Sequence, residues 1–166
     1  MHSCDVSSRV LMTYVCGNPN CKNVEISFFQ DARKVCLKCN EFSSLPSNVA
    51  NGVDDHTLAK IYNIFDLYVQ AANSEGFGLP QVEAAACGIP IACTDYSAMK
   101  DIVSNLNAFP IGCKKYKELE TGCDRAVIDE ENLVSIFKNF LSDKTQKSNT
   151  RKLFEKHYSW DKTAEE

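Results

Sequence analysis

The chain has 166 residues, a formal net charge of −4 at pH 7 and 44% hydrophobic residues, the make-up of about one globular domain with room for a core. That acidic balance, with no gathering of lysine and arginine, excludes a general nucleic-acid-binding surface. The apolar stretch Val10-Leu-Met12 is too short and too poorly flanked for a signal peptide, and no run reaches the length of a bilayer, so no transmembrane segment is expected and the chain reads as cytoplasmic.

In chain order, Val10, Leu11, Met12, Tyr14 and Val15 make residues 8 to 15 read as a short buried strand. Two close cysteine pairs follow, Cys16-Gly-Asn-Pro-Asn-Cys21 and Cys36-Leu-Lys-Cys39, separated by fourteen residues. Four thiolates at such spacing can surround one ion as a tetrahedron, and zinc is the expected one, with Gly17 and Pro19 shaping the first turn. Residues 16–46 therefore read as an inserted zinc knuckle, similar to a zinc ribbon or rubredoxin knuckle, with Cys16, Cys21, Cys36 and Cys39 as ligands. Four unliganded thiols are the alternative, and a single iron accepts the same geometry. A site closed by four ligands is structural, because no position is left on which to activate water. Lys22, Arg33, Lys34 and Lys38 outnumber Glu25 and Asp31 in this segment by two charges, which a tetrathiolate zinc would cancel, so the knuckle is no nucleic-acid clamp.

Asp54 or Asp55 can cap a helix running to about Asn63, and Asp66 to Ala71 reads as a buried strand. The stretch Glu75-Gly-Phe-Gly-Leu-Pro-Gln-Val-Glu83 then places two carboxylates eight residues apart around a glycine-rich turn that opens a helix, with motif loop and helix occupying residues 74 to 87. Gly76 and Gly78 allow a tight turn and close approach of a ligand, Pro80 suits the first helical position, and Gly88 closes the helix after Cys87. The helix start offers N–H groups to an anion, and Glu83 reads as lying in the first turn, favoured by the helix dipole. Ile89 to Cys93 is a strand, Ser97 can cap a helix to about Leu106, and Ala108 to Gly112 is a further strand. Residues 113 to 123 are polar and lysine-rich and read as a loop. Asp129 caps an amphipathic helix carrying Leu133, Ile136, Phe137, Phe140 and Leu141, and a last helix covers about 146 to 157. Strands that are apolar throughout and alternate with helices imply an α/β fold with a Rossmann-like parallel sheet covered on both faces. Cys87 and Cys93 fall in core elements, whereas Cys4, Cys113 and Cys123 read as surface thiols.

The residues from Glu75 to Pro90 resemble the motif E-G-F-G-L-P-x-x-E-A-x-A-x-G-x-P of the retaining glycosyltransferases of the GT-B fold, the Glu-x7-Glu (family 4-type) group that includes sucrose, glycogen and lipopolysaccharide synthases. The likeness extends over about residues 54 to 160, from Leu58-Ala-Lys-Ile-Tyr62 and Phe65-Asp-Leu-Tyr-Val-Gln70 to Ile89-Pro-Ile-Ala-Cys-Thr-Asp95, Asp101-Ile-Val103 and Tyr158-Ser-Trp160, and is weaker between about 107 and 128. By this resemblance residues 1–166 are one partial GT-B domain, the C-terminal donor-binding half, and the N-terminal acceptor domain is missing. The donor is then a nucleoside diphosphate sugar. Glu83 binds its ribose, the N–H groups of Gly76, Phe77, Gly78 and Leu79 meet its diphosphate and sugar, and Glu75 contacts the sugar as the catalytic-site carboxylate. The two glutamates position the donor and are not a glycosidase-type acid/base pair.

No Asp-x-Asp is present, so no catalytic divalent metal is expected, and the diphosphate must be met by N–H groups and cations. The family's Arg and Lys for the diphosphate would precede this segment. Asp95-Tyr-Ser-Ala98 departs from the small glycine-rich loop of many relatives, which leaves the acceptor side unread. An odd count of nine cysteines beside a nucleotide-sugar motif fits a reducing compartment. The alternative function is a non-catalytic, zinc-containing module that binds a nucleotide sugar or a protein.

Overall fold

The computed structural model describes residues 9–29, 31, 33–45, 53–142 and 149–159. It divides into two compact units, residues 1–58 and 59–166, with the division falling inside helix α1 (Asp55–Tyr62).

The first unit is a four-stranded antiparallel sheet, β1 (Leu11–Cys16), β2 (Val24–Phe28), β3 (Arg33–Val35) and β4 (Phe42–Ser44), in the order β2-β1-β4-β3. The apolar run at residues 8 to 15 does form a strand, but it pairs with β2 and β4, inside the cysteine-rich sheet and not beside the parallel one. Nor is it buried throughout. Tyr14 and Cys16 are buried while Leu11, on the other face, is 52% exposed, the alternation expected of an antiparallel strand. Tyr14 anchors its face by donating its hydroxyl to the carbonyl of Asp31 (2.8 Å), and Lys34, paired with Glu25, lies over its ring.

α1 begins where Asp54 accepts the N–H of Thr57 at 2.8 Å, as the sequence suggests. The second unit is built on a parallel sheet of β5 (Tyr68–Gln70), β6 (Ile91–Thr94) and β7 (Phe109–Ile111), in the order β5-β6-β7. Helix α2 (Leu79–Ala86) connects the first two strands and α3 (Met99–Leu106) the last two. All four residues of β6 are buried, which explains why the strand carries no charged side chain and only Thr94 as a polar one. Ala92 and Ile111 pack with Ile136 of α4 (Glu130–Ser142) on one face, and Cys93 lies against Met99 of α3 on the other. Asp129 caps α4 through the N–H of Asn132 (3.0 Å). The last helix, α5 (Thr150–His157), packs on α2 and α3, and its Arg151 donates to the terminal Ala86 carbonyl of α2 at 2.6 Å. Trp160, residues 146–148 of the expected last helix and Cys4 lie outside the described residues.

The expected loop at residues 113 to 123 is a hairpin, with β8 (Cys113–Lys117) paired to β9 (Asp124–Ile128). Its first strand carries three lysines and no apolar alternation, which is why the pattern hid it. Lys117 faces Asp124 (2.9 Å), Arg125 reaches Glu118 (3.2 Å), and Gly122 turns the chain at φ 68°. Ala126, buried, ties the hairpin back by donating its N–H to the carbonyl of Asn73 (3.0 Å).

Candidate functional site

β5 ends at Gln70, and the chain then crosses the carboxyl edge of the parallel sheet as a loop that carries Glu75 and enters α2. Ligands of open α/β sheets bind at that edge. The loop is pinned from both sides. Ser97, after β6, donates its hydroxyl to the main-chain carbonyl of Glu75 (2.7 Å), and the Gln70 amide donates to the Glu75 carboxylate (3.1 Å). Ser97 therefore does not cap α3, whose first turn has no side-chain cap; it adopts φ 56° and joins two loops.

Gly78 has φ 91°, a left-handed conformation that disfavours any side chain, and a Cβ there would lie 3.1 Å from the Gln81 side chain. Gly76 differs. Its φ is not positive and a Cβ would meet nothing within 4 Å, so neither the turn nor its neighbours require glycine there. α2 starts at Leu79, with Pro80 in the first turn and Gly78 at the cap without a side-chain hydrogen bond. The first turn thus directs main-chain N–H groups outward beside Glu75, a setting for an anion.

Glu83 lies in the second turn, and the first turn holds no acidic residue. The expected dipole stabilisation is correspondingly reduced, since that effect fades beyond the first turn. Glu83 is held instead by a side chain: Tyr62, at the end of α1 and 6% exposed, donates its hydroxyl to the carboxylate at 2.9 Å. Burial, and then the neighbouring Glu83, push the Tyr62 phenol well above its ordinary range, so that it remains a donor. Tyr68 does the same for Gln70. Its hydroxyl donates to Gln70 at 2.8 Å, burial and the charges of Glu75 and Glu83 raise it too, and its ring lies 5.9 Å from that of Tyr62. Beside Glu83 an apolar cavity of about 420 Å³ is lined by Phe77, Leu79, Val82, Phe154, His157 and Tyr158.

Glu75, Gly76, Phe77, Gly78, Leu79 and Glu83 thus come together on one loop and helix start. Tyr62, Tyr68, Gln70 and Ser97, which hold the two glutamates and their loop, are the residues that motif reading missed. The alternation of Tyr68 and Gln70 along a strand leading to the motif was the available signal, hidden because the strand had been read as apolar core. Chemically, two oriented carboxylates beside a helix N-terminus can accept from hydroxyls while N–H groups hold an anion.

In the first unit Cys16, Cys21, Cys36 and Cys39 converge, their sulfurs all within 4.8 Å of one another. Cys16 and Cys39 are 3.5 Å apart and Cys21 and Cys36 3.9 Å, against about 3.8 Å for four sulfurs each 2.3 Å from one ion in a tetrahedron. The two pairs sit on matching turns, since the residue after each second cysteine, Lys22 or Asn40, is left-handed (φ 47° and 61°). The Asn18 N–H points to the Cys16 sulfur at 3.4 Å. The N–H of Lys38 pulls the Cys36 thiol down to about 6 despite desolvation. Against the Asn18 N–H, desolvation and the other three sulfurs push Cys16 up to about 12. Without a cation, four thiolates cannot form together near neutral pH. Elsewhere Cys93 is buried, Cys87 and Cys113 are half-buried and Cys123 is exposed. Among the described residues no helix is long and apolar enough to cross a membrane.

The model of the family "Glycosyl transferases group 1" matches residues 47–141. Among curated proteins, the chain is similar to the lipopolysaccharide core biosynthesis mannosyltransferase LpsB of Rhizobium meliloti, 31% identical over 93 residues, 55% of this chain and 23% of that protein. The O-antigen chain mannosyltransferase B of Escherichia coli is 34% identical over 53 residues, 32% of this chain and 14% of that protein. An uncharacterized glycosyltransferase of Methanocaldococcus jannaschii is 28% identical over 115 residues, 69% of this chain and 27% of that protein. The chain therefore spans between 14% and 27% of the length of these relatives.

Proposed function

Because the chain belongs to the group 1 glycosyl transferases, we propose that its parallel-sheet unit is the donor-holding part of a retaining transferase of the GT-B type. Its donor is a nucleoside diphosphate sugar, and two of its relatives, named mannosyltransferases, make mannose the first sugar to try. The observation that carries this reading is the placement of Glu75, the glycine turn and Glu83 on one loop and helix start at the carboxyl edge of the sheet. Glu83, held by Tyr62, accepts from the vicinal ribose hydroxyls, while Glu75 faces the sugar. The N–H groups from Gly76 to Leu79 meet the diphosphate and offset the charge that builds on it as the sugar departs, which is where such groups accelerate reaction. In this reading the acceptor is held by a separate domain.

The four-cysteine cluster is proposed to hold a structural Zn²⁺, which its spacing and matching turns fit, in a compartment that keeps thiols reduced.

Calorimetry of GDP and UDP with the chain and two variants tests the donor reading. Glu83→Ala is expected to weaken binding about ten- to a hundred-fold, as for lost hydrogen bonds to a charged acceptor. Asp101→Ala, in the exposed first turn of α3, is expected to leave it unchanged. Equal binding by Glu83→Ala and the parent chain would remove the ribose role and with it the main support for a donor site.

A further inference from the structure

We propose that Gln70 is the positioning residue that aims Glu75, and that the Tyr68 hydroxyl braces the Gln70 amide as it does so. The inference rests on the donor-site reading above and adds to it the part of the donor that the Glu75 side of the site selects, the sugar.

Gln70 is the last residue of β5, and its main chain is fixed in the parallel ladder opposite Cys93 of β6. Its side chain is half-buried and makes two hydrogen bonds of opposite sense. The Tyr68 hydroxyl donates to the amide oxygen at 2.8 Å, and the amide nitrogen donates to one carboxylate oxygen of Glu75 at 3.1 Å. The carboxylate decides this orientation. A flipped amide would set its oxygen against the Glu75 carboxylate and lose the bond to the ion, whereas the Tyr68 hydroxyl can donate or accept. Tyr68 is in turn fixed by its ring contact with Tyr62, the residue that holds Glu83. The two glutamates are therefore aimed from one pair of tyrosines, Glu83 directly and Glu75 through Gln70.

Ser97 fixes the Glu75 main chain and Gln70 fixes one of its side-chain oxygens, which leaves the second oxygen for a ligand. A carboxylate with one oxygen tethered presents the other along a fixed direction, and a sugar hydroxyl lying there gains a charge-assisted hydrogen bond without the entropy of ordering the glutamate. Freed from Gln70, Glu75 would still be present but would be ordered at the ligand's expense. The consequence falls on the sugar alone, since the nucleotide is met by Glu83 and the α2 turn.

The test compares the affinity of the chain for a nucleotide with that for its sugar conjugate, using GDP with GDP-mannose and UDP with UDP-glucose, for the parent, Gln70→Met, Gln70→Glu and Tyr68→Phe. Met and Glu keep the length of the side chain, so packing under the loop is preserved, while one removes the donor and the other sets a second carboxylate against Glu75. The parent is expected to bind one conjugate more tightly than its nucleotide. Gln70→Met should cut that preference roughly tenfold, Gln70→Glu more, and Tyr68→Phe less, with nucleotide affinity nearly unchanged in all three and a lowered melting temperature only in Gln70→Glu, where two carboxylates meet. A preference unchanged in Gln70→Met and Gln70→Glu overturns the proposal and leaves the donor reading intact. Parallel loss of both affinities with a fall in melting temperature also overturns it, because Gln70 would then only hold the loop. No binding of either nucleotide by the parent would overturn the donor reading itself, and this proposal with it.

Discussion

Each of the two glutamates of the site is held by a neutral donor, and this choice has a pH signature. Tyr62 is buried against the Glu83 carboxylate, and both facts favour its protonated form. Its folded-state pKa therefore lies above the value of about 10 for a free phenol, and the folded state binds the proton more tightly than the unfolded chain does. The stability so gained is fully present below about pH 10 and is lost as pH rises from there through the folded value. Tyr68 and Tyr158, also raised by burial, add to the same fall. Tyr62→Phe is expected to cost about 1–3 kcal/mol at pH 7, by taking a hydrogen bond from a charged acceptor, and to show a shallower loss of stability between about pH 10 and 11 than the parent. Urea unfolding at pH 7, 9 and 10.5 measures both. Parallel curves for the two proteins would show that the Tyr62 phenol is not perturbed by this setting.

At the scale of elements, the two glycines of the turn make different demands on the backbone. Gly78 is left-handed and backed by Gln81, so Gly78→Ala combines backbone strain with a close contact and is expected to cost about 1–3 kcal/mol of stability. Gly76→Ala meets neither obstacle and should melt with the parent while binding nucleotide less tightly, if the backbone there is approached by the ligand. Thermal melts and calorimetry on the pair check this, and a destabilised Gly76→Ala would contradict the geometry. The same elements show how far sequence reading reaches. β6, α2 and α4 were legible because burial on every side, a glycine–proline start and a strict apolar stripe each leave an unmistakable pattern. The hairpin of β8 and β9 was not, because Lys114, Lys115 and Lys117 make its first strand look like a lysine-rich loop, while the burial of Ala126 and the partial burial of Ile128 show only in the fold. Ser97 looked like a cap because serine usually is one before a helix, and only the fold reveals that its hydroxyl reaches the carbonyl of a residue twenty-two positions earlier. A helix that starts at Leu79 and not at Pro80 moves Glu83 by one residue, from the end of the first turn into the second, where Tyr62 and not the helix dipole holds it.

On the scale of the whole molecule, the two units rest on different physics. The parallel-sheet unit has an apolar core of Ala92, Ile111 and Ile136 with Leu67, Val69, Phe109, Ile128 and Leu133 around it. The first unit has short strands, several half-exposed apolar side chains and four sulfurs drawn to one point, a composition in which the ion proposed above would supply what a small core cannot. The thiols set the pH dependence of that ion. Near neutral pH Cys36, down at about 6, is already mostly thiolate, while Cys16, pushed up to about 12, keeps its proton until a cation displaces it. Zinc binding should therefore release protons and strengthen as pH rises from about 6 to 9, and should weaken more steeply below about 6, where Cys36 protonates as well. The purified chain is expected to carry about one zinc per molecule, Cys36→Ser to lose most of it, and cobalt(II) to give the intense absorption of a tetrahedral thiolate site. Chelation should then collapse the amide spectrum of residues 9–45, whose strands converge on the four sulfurs, without the loss of the parallel sheet's own signals. A chain that holds iron after aerobic purification would keep the site and change the ion. Full metal content in Cys36→Ser, or affinity that does not change with pH, would remove the four-thiolate site itself.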